Sequence, residues 1–311
     1  MFTPAASGTD GSHSTVSPAG SGFATKARGY MALTKPAIVE LLLVTTVPAM
    51  FVAQRGLPNI WLMVATVVGG ALTAAGASAF NMWYDRDIDA VMKRTEKRPL
   101  VQGVLTPQEA LTFAIGIEVV GFLMLAVFVN MLSAVFALSG ALFYAFVYTM
   151  WLKRKSPSNI VIGGAAGGFP VLVGWAAVAN GVSLAPWVMF AIIFFWTPPH
   201  FWALAFKYRD DYSAAKVPML PSVAPMSYTA FQITTYSVLL LALSLLLAPV
   251  AQLGEVYILA AVVLGVVFCG FAVKLQRNHS EHTAMTLFAY SITYVTLLFG
   301  AMVVDQFVSV F

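Results

Sequence analysis

Nine stretches of about 20 apolar residues, each long enough for a helix to cross a bilayer, dominate the sequence. They fall at 37–54, 59–80, 109–129, 132–150, 159–179, 187–206, 231–250, 255–274 and 285–307, most of them without a charge. Inside a bilayer no water is available to a bare backbone, so such stretches must be helical. The expected fold is all-α, a polytopic integral membrane protein with nine transmembrane helices around a central cavity. Composition agrees: 59% of the 311 residues are hydrophobic and 10% are charged, against about 45–50% and about 25% in a soluble domain. That balance excludes a disordered chain, a secreted disulfide scaffold and a nucleic-acid partner. The single cysteine, Cys269, excludes an internal disulfide and a cysteine-based metal site.

The connections alternate in charge. Lys26, Arg28 and Lys35 precede the first stretch, and Arg86, Lys93, Arg94, Lys97 and Arg98 follow the second. Lys153, Arg154 and Lys155 follow the fourth, Lys207, Arg209 and Lys216 the sixth, and Lys274 and Arg277 the eighth. Of the 17 Lys and Arg residues only Arg55 lies on the other side. The positive-inside rule makes the basic side cytoplasmic, in the plasma membrane, with the N-terminus inside and the C-terminus outside. The net charge of +4 therefore reports topology first. Residues 1–29, rich in Ser, Gly, Thr and Pro and without an apolar core, are expected to be a disordered cytoplasmic tail and not a signal peptide. Residues 30–311 form the membrane domain.

Two cytoplasmic connections, 81–108 and 207–230, are long and rich in Asp, Arg, Tyr and Pro, a composition that favours function over a mere linker. In the first, Asn81, Asp85 and Asp89 recur every fourth residue. On a continuing helix they share one face, where two like charges at i,i+4 need an opposing charge. Carboxylates with an amide oxygen are hard ligands suited to Mg²⁺, which commonly completes its shell with phosphate oxygens. Lys93, Arg94, Lys97 and Arg98 follow at once, cations of the kind that bind phosphate. Within the sixth stretch, Pro198-Pro199 is expected to break or kink the helix, turning His200 toward a cavity. Glu40 lies about one turn inside the first stretch, near the same mouth. Glu118, in the middle of the third, has no evident chemistry. No Ser/His/Asp or Cys/His constellation for nucleophilic catalysis is present.

The pattern Asn81-x-x-x-Asp85-x-x-x-Asp89, followed by Arg94-Thr95-x-x-Arg98-Pro99, resembles the first motif of the UbiA superfamily of intramembrane prenyltransferases. The resemblance runs over roughly residues 30–305. It is sharpest toward the branch of that superfamily that farnesylates haem, through Leu33-Thr34-Lys35-Pro36, Thr197-Pro198-Pro199-His200-Phe201-Trp202, Lys207-Tyr208-Arg209-Asp210-Asp211-Tyr212 and Val217-Pro218-Met219-Leu220-Pro221. Two departures from the wider superfamily stand out. Met82 follows Asn81 where many members have Asp, and Tyr208 and Tyr212 occupy the acidic positions of the second motif.

The resemblance implies transfer of a farnesyl group from farnesyl diphosphate to a vinyl group of haem B, with addition of water. Mg²⁺ would be held by Asn81, Asp85 and Asp89, with Asp85, Asp89, Arg94 and Arg98 catalytic. Lys35, Glu40, His200, Lys207, Tyr208, Arg209, Asp211 and Tyr212 would bind substrate, and Lys207 and Arg209 would share in neutralising the diphosphate. Trp83, Tyr84, Tyr148 and Trp151 are candidates to shield an allylic cation. Membrane lipid, and haem A synthase or a terminal-oxidase assembly pathway, are the further partners implied. Prenyl transfer to an aromatic or quinone precursor is the nearest alternative, and a secondary transporter the alternative of another class.

Overall fold

The computed structural model describes residues 22–308, and for residues 37–43 the backbone alone. Among the described residues all regular structure is helical: α1 (Phe23–Leu33), α2 (Pro36–Gln54), α3 (Ile60–Tyr84), α4 (Arg86–Asp89), α5 (Pro107–Phe128), and α6 (Met131–Leu142), which continues as a π-helix over Phe143–Leu152. There follow α7 (Asn159–Gly163), α8 (Ala165–Ala179), α9 (Leu184–Lys207), α10 (Arg209–Ala214), α11 (Leu220–Val223), α12 (Met226–Ala251), α13 (Glu255–Asn278) and α14 (Glu281–Val308).

Eight helices among the described residues are long and apolar enough to cross a membrane, α6 being counted with its π-helical continuation and α7 with α8. Helix α2, of 19 residues, takes the place of the first of the nine expected stretches. It packs between α8 and α14, with α3 alongside. The protein is a multi-pass membrane protein. Of the tail expected over 1–29, residues 1–21 lie outside the described residues. From Phe23 the chain is helical, so the folded part begins ahead of the boundary drawn at 30.

Local chemistry sets the helix ends. Asn59 and Asn130 cap α3 and α6, accepting from the backbone N–H of Leu62 and Ser133. Thr106 and Glu109 form a reciprocal capping box on α5, with Pro107 in the first turn. Arg55, Asn180 and Gln252 close α2, α8 and α12 in the left-handed conformation. Lys26 reaches Glu109 at 2.6 Å and moors α1 to the start of α5.

Of the break or kink expected in helix α9, the break is absent. Pro198 and Pro199 lie inside the helix and it runs without a break from Leu184 to Lys207. Each proline removes one N–H donor, but α8, α12 and α14 enclose α9, and such packing holds a proline-bearing helix together within a membrane.

Small residues let the helices approach. A Cβ on Gly121 of α5 would stand 2.8 Å from the Thr73 backbone nitrogen of α3, and one on Gly174 of α8 2.3 Å from the Thr46 carbonyl oxygen of α2. Helices α2, α3, α6, α8 and α9 thus draw round a common space, while α12 and α14 buttress α9 from behind and α13 packs against both of them. Gly174→Ala should lower the melting temperature in detergent, at a cost of about 1–3 kcal/mol for forcing two backbones apart. Gly300→Ala, where nothing lies within 4 Å, should leave it unchanged or raise it, by up to about 1 kcal/mol of helix propensity.

Candidate active site

The i,i+4 stack at the end of α3 survives the helix terminus. Tyr84 ends α3, but the Asp85 N–H still donates to the Asn81 carbonyl at 2.9 Å, and the Asp89 N–H to that of Asp85 at 2.9 Å. Asn81, Asp85 and Asp89 therefore keep one face across the junction with α4. All three are buried, with Asp85 0% and Asp89 2% exposed.

Buried carboxylates demand opposite charge. Asp85 is ion-paired with Lys153, lies 3.4 Å from Arg154, and accepts from Asn81 Nδ2 at 2.7 Å. Asp89 is ion-paired with Arg98. Lys35 Nζ donates to Asn81 Oδ1 at 3.0 Å, and Asn81 Nδ2 also donates to Thr149 at 3.1 Å. Arg154 grips Asp87 with two bonds of 2.7 Å and lies over the Tyr84 ring. That grip holds the Asp87 carboxyl below its ordinary range. Burial draws the Lys35 ammonium down to about 7, reinforced by Arg98 and Lys153 nearby. Burial raises the Tyr212 phenol, while Arg94 beside it pulls the other way.

This cluster is the mouth of a cavity of about 400 Å³. Lys35, Asn81, Asp89, Arg94, Arg98, Lys153 and Tyr212 line the polar end. Below them the wall turns apolar and small: Ala77, Ala74 and Gly70 of α3, Gly140 of α6, Gly163 and Gly164 around α7, and Gly167 of α8. Phe169, Trp196 and Phe201 add an aromatic side. Along α3 the lining runs from Asn81 to Thr66, about 22 Å at a helical rise of about 1.5 Å per residue. The shape suits a ligand with an anionic head and a long apolar tail.

Of the residues expected at the site, Asn81, Asp85, Asp89, Arg94, Arg98, Lys35 and Tyr212 converge, Asp85 standing behind Asn81. The side chain of Glu40 lies outside the described residues. Lys207, Tyr208, Arg209 and Asp211 are not among the cavity-lining residues; Lys207 and Arg209 are exposed at the corner between α9 and α10. His200 is buried away from the lining. Its ring stacks between Trp196 and Phe288, and its Nδ1 lies 2.6 Å from Ser291 Oγ. With no break in α9, nothing turns it into the cavity. Tyr148 lines the cavity, whereas Trp151 is exposed. Glu118 faces Gly76 between α5 and α3.

Sequence reasoning missed three contributors. In the sequence Lys153 reads as a topological charge, and Thr149 and Tyr144 belong to no motif. All three belong to the π-helix or its cap, where the Lys153 N–H bonds to the Tyr148 carbonyl five residues back. At roughly 4.4 residues per turn, the pitch that i→i+5 bonding implies, Tyr144, Tyr148 and Lys153 fall nearly in line. All three line the cavity, and the two Tyr rings stack at 5.4 Å.

Anion-binding cations over a small-walled apolar cavity define an intramembrane site for a diphosphate carried on a lipid-like chain. The chain belongs to the UbiA prenyltransferase family, which its residues 42–299 match. A relative from Frankia alni named protoheme IX farnesyltransferase is 52% identical over 286 residues, covering 91% of this chain and 99% of that one. The solved structure of a digeranylgeranylglyceryl phosphate synthase superposes with a TM-score of 0.74 at 18% identity, covering 90% of this chain and 98% of that one. A UbiA homolog from Archaeoglobus fulgidus, solved with GPP and Mg²⁺, does so with a TM-score of 0.59 at 16% identity, covering 88% and 99%. At those identities the two structures speak for the fold alone.

A double-mutant cycle tests the mouth. Lys153→Ala and Asp85→Ala should couple by more than about 1 kcal/mol in thermal unfolding, as contacting charges do. Lys155→Ala, at an exposed position, should add to Asp85→Ala within about 0.5 kcal/mol, as independent sites do.

Proposed function

We propose that this protein transfers the farnesyl group of farnesyl diphosphate to a vinyl group of haem B, with addition of water, giving haem O and diphosphate. The observation that carries the reading is the cavity itself, a buried Asn81/Asp85/Asp89 stack ringed by Lys35, Arg94, Arg98 and Lys153 above a deep apolar wall. The acceptor is the one for which the relative at 52% identity is named. The basic end of the molecule is assigned to the cytoplasm of a cell whose plasma membrane holds the protein, by the positive-inside rule. Haem A synthase or a terminal-oxidase assembly pathway would consume the product.

The donor set fits Mg²⁺. Asn81 Oδ1 and carboxylate oxygens of Asp85 and Asp89 each already meet a cationic nitrogen, from Lys35, Lys153 and Arg98 respectively. Oxygens that select positive charge in this way are hard ligands for a divalent cation. When bound there, Mg²⁺ would supply Lewis-acid neutralisation of the diphosphate oxygens.

The protein's own residues do the rest. Lys35, Arg94, Arg98 and Lys153 hold the diphosphate at the mouth and stabilise the charge that grows on it as the C1–O bond breaks. The apolar wall extends the farnesyl chain and keeps water from the allylic cation. Tyr144 and Tyr148 present ring faces at the top of that wall, where a developing cation gains from them. The terminal carbon of a haem vinyl group attacks C1. The cation left on the adjacent carbon is captured by water, which then loses a proton, leaving a hydroxyethylfarnesyl group.

The test uses detergent-purified protein with haem B, labelled farnesyl diphosphate and Mg²⁺, read by chromatography for a more hydrophobic haem. Asp89→Ala should lower kcat by about 10²-fold or more, the scale of losing one transition-state electrostatic group, and a chelator should abolish product. Label appearing on a quinone precursor and never on haem would discard the acceptor and keep the site.

A further inference from the structure

The cations around the mouth fall into two sets. Lys35, Arg94, Arg98 and Lys153 line the cavity; Arg98 pairs with Asp89, Lys153 with Asp85, and Lys35 with Asn81. Lys207 and Arg209 stand outside, exposed, at the cytoplasmic end of α9. Tyr208 ties the two sets together. Its ring centroid is 6.0 Å from Arg94 Cζ and 5.6 Å from Lys207 Nζ, so the two cations are no further apart than those distances combined.

Charge does not call the outer pair to the donor. With Lys35 protonated, the inner four side chains exceed the carboxylates of Asp85 and Asp89 by two positive charges. A diphosphate accompanied by a divalent cation carries less negative charge than that. The acceptor, however, brings two propionate carboxylates on one edge of an otherwise apolar macrocycle, and what remains of the inner excess falls short of the two charges they carry. Phe201 of α9 lines the cavity, and Tyr208, which caps that helix, follows seven positions on and carries the stripe past the helix end. A macrocycle laid on that stripe runs from the apolar wall to the outer pair. Arg209 already lies 3.5 Å from Asp210, but Asp210 is 94% exposed and their pairing is screened by water, so it yields readily to a better-placed anion.

We propose that Lys207 and Arg209 bind the propionate carboxylates of the haem acceptor, and so set which edge of the macrocycle turns its vinyl groups toward the donor. This rests on the haem-farnesylating reading above and moves the pair from donor to acceptor. The experiment compares the full chain with a Lys207→Gln/Arg209→Gln variant, which keeps side-chain bulk at two exposed positions, using haem B and its dimethyl ester as acceptors. The variant should raise KM for haem B about tenfold and leave KM for farnesyl diphosphate unchanged. With the dimethyl ester, variant and parent should share the same raised KM. A higher KM for farnesyl diphosphate would return the pair to the donor and overturn the proposal. An unchanged KM for every substrate would leave the pair to membrane topology and overturn it too. If the parent chain farnesylates neither acceptor, the underlying reading fails first, and visibly so.

Discussion

Two carboxylates withdrawn from water govern this molecule. Asp85 and Asp89 are buried at the end of a helix that has just left the membrane, where an isolated charge would cost several kcal/mol. Their neutralisation recruits side chains from three places in the chain: Arg98 from the connection after α4, Lys153 and Arg154 from the end of the π-helix, and Lys35 through Asn81. The ends of α2, α3 and the π-helical continuation of α6 at the cavity mouth are thereby bound into one polar knot. The cavity beneath keeps its mouth because the knot holds it.

The same knot serves chemistry. Under the proposed function, cations that balance carboxylates in one state would be free to meet phosphate oxygens in another, were a divalent ion to take their place on the aspartates. Stability and reactivity then draw on one set of charges, and removing any of them should disturb both. The wall below the mouth contributes by its size and its chemistry: its glycines and alanines leave space, and its polar side chains are hydroxyls, among them Thr46, Thr66, Thr73, Ser78 and Thr197, with no carboxylate or amine to intercept a reactive cation.

The membrane stretches and the Asn81/Asp85/Asp89 stack were legible in the sequence because each is a regularity along one dimension, a length or a spacing of four. The stack was readable even though α3 ends inside it, since the i→i+4 bonds continue through Asp85. Lys153, Thr149 and Tyr144 were not legible, because a π-helix replaces the 3.6-residue period on which such reading relies. At the α-helical angle Tyr144 and Lys153 would point to opposite sides. His200 failed for a different reason: tertiary packing around α9 outweighed the local preference of two prolines, and the imidazole found Ser291.

The cavity has a consequence for what happens after the bond is made. Its two ends differ in solubility as sharply as the two products do. Diphosphate, released among lysines and arginines at the water-facing mouth, partitions outward into the aqueous phase. The enlarged haem, now carrying a farnesyl tail, partitions into lipid. The polarity gradient along the cavity favours sorting of the products, and sending them into different phases biases the overall reaction forward.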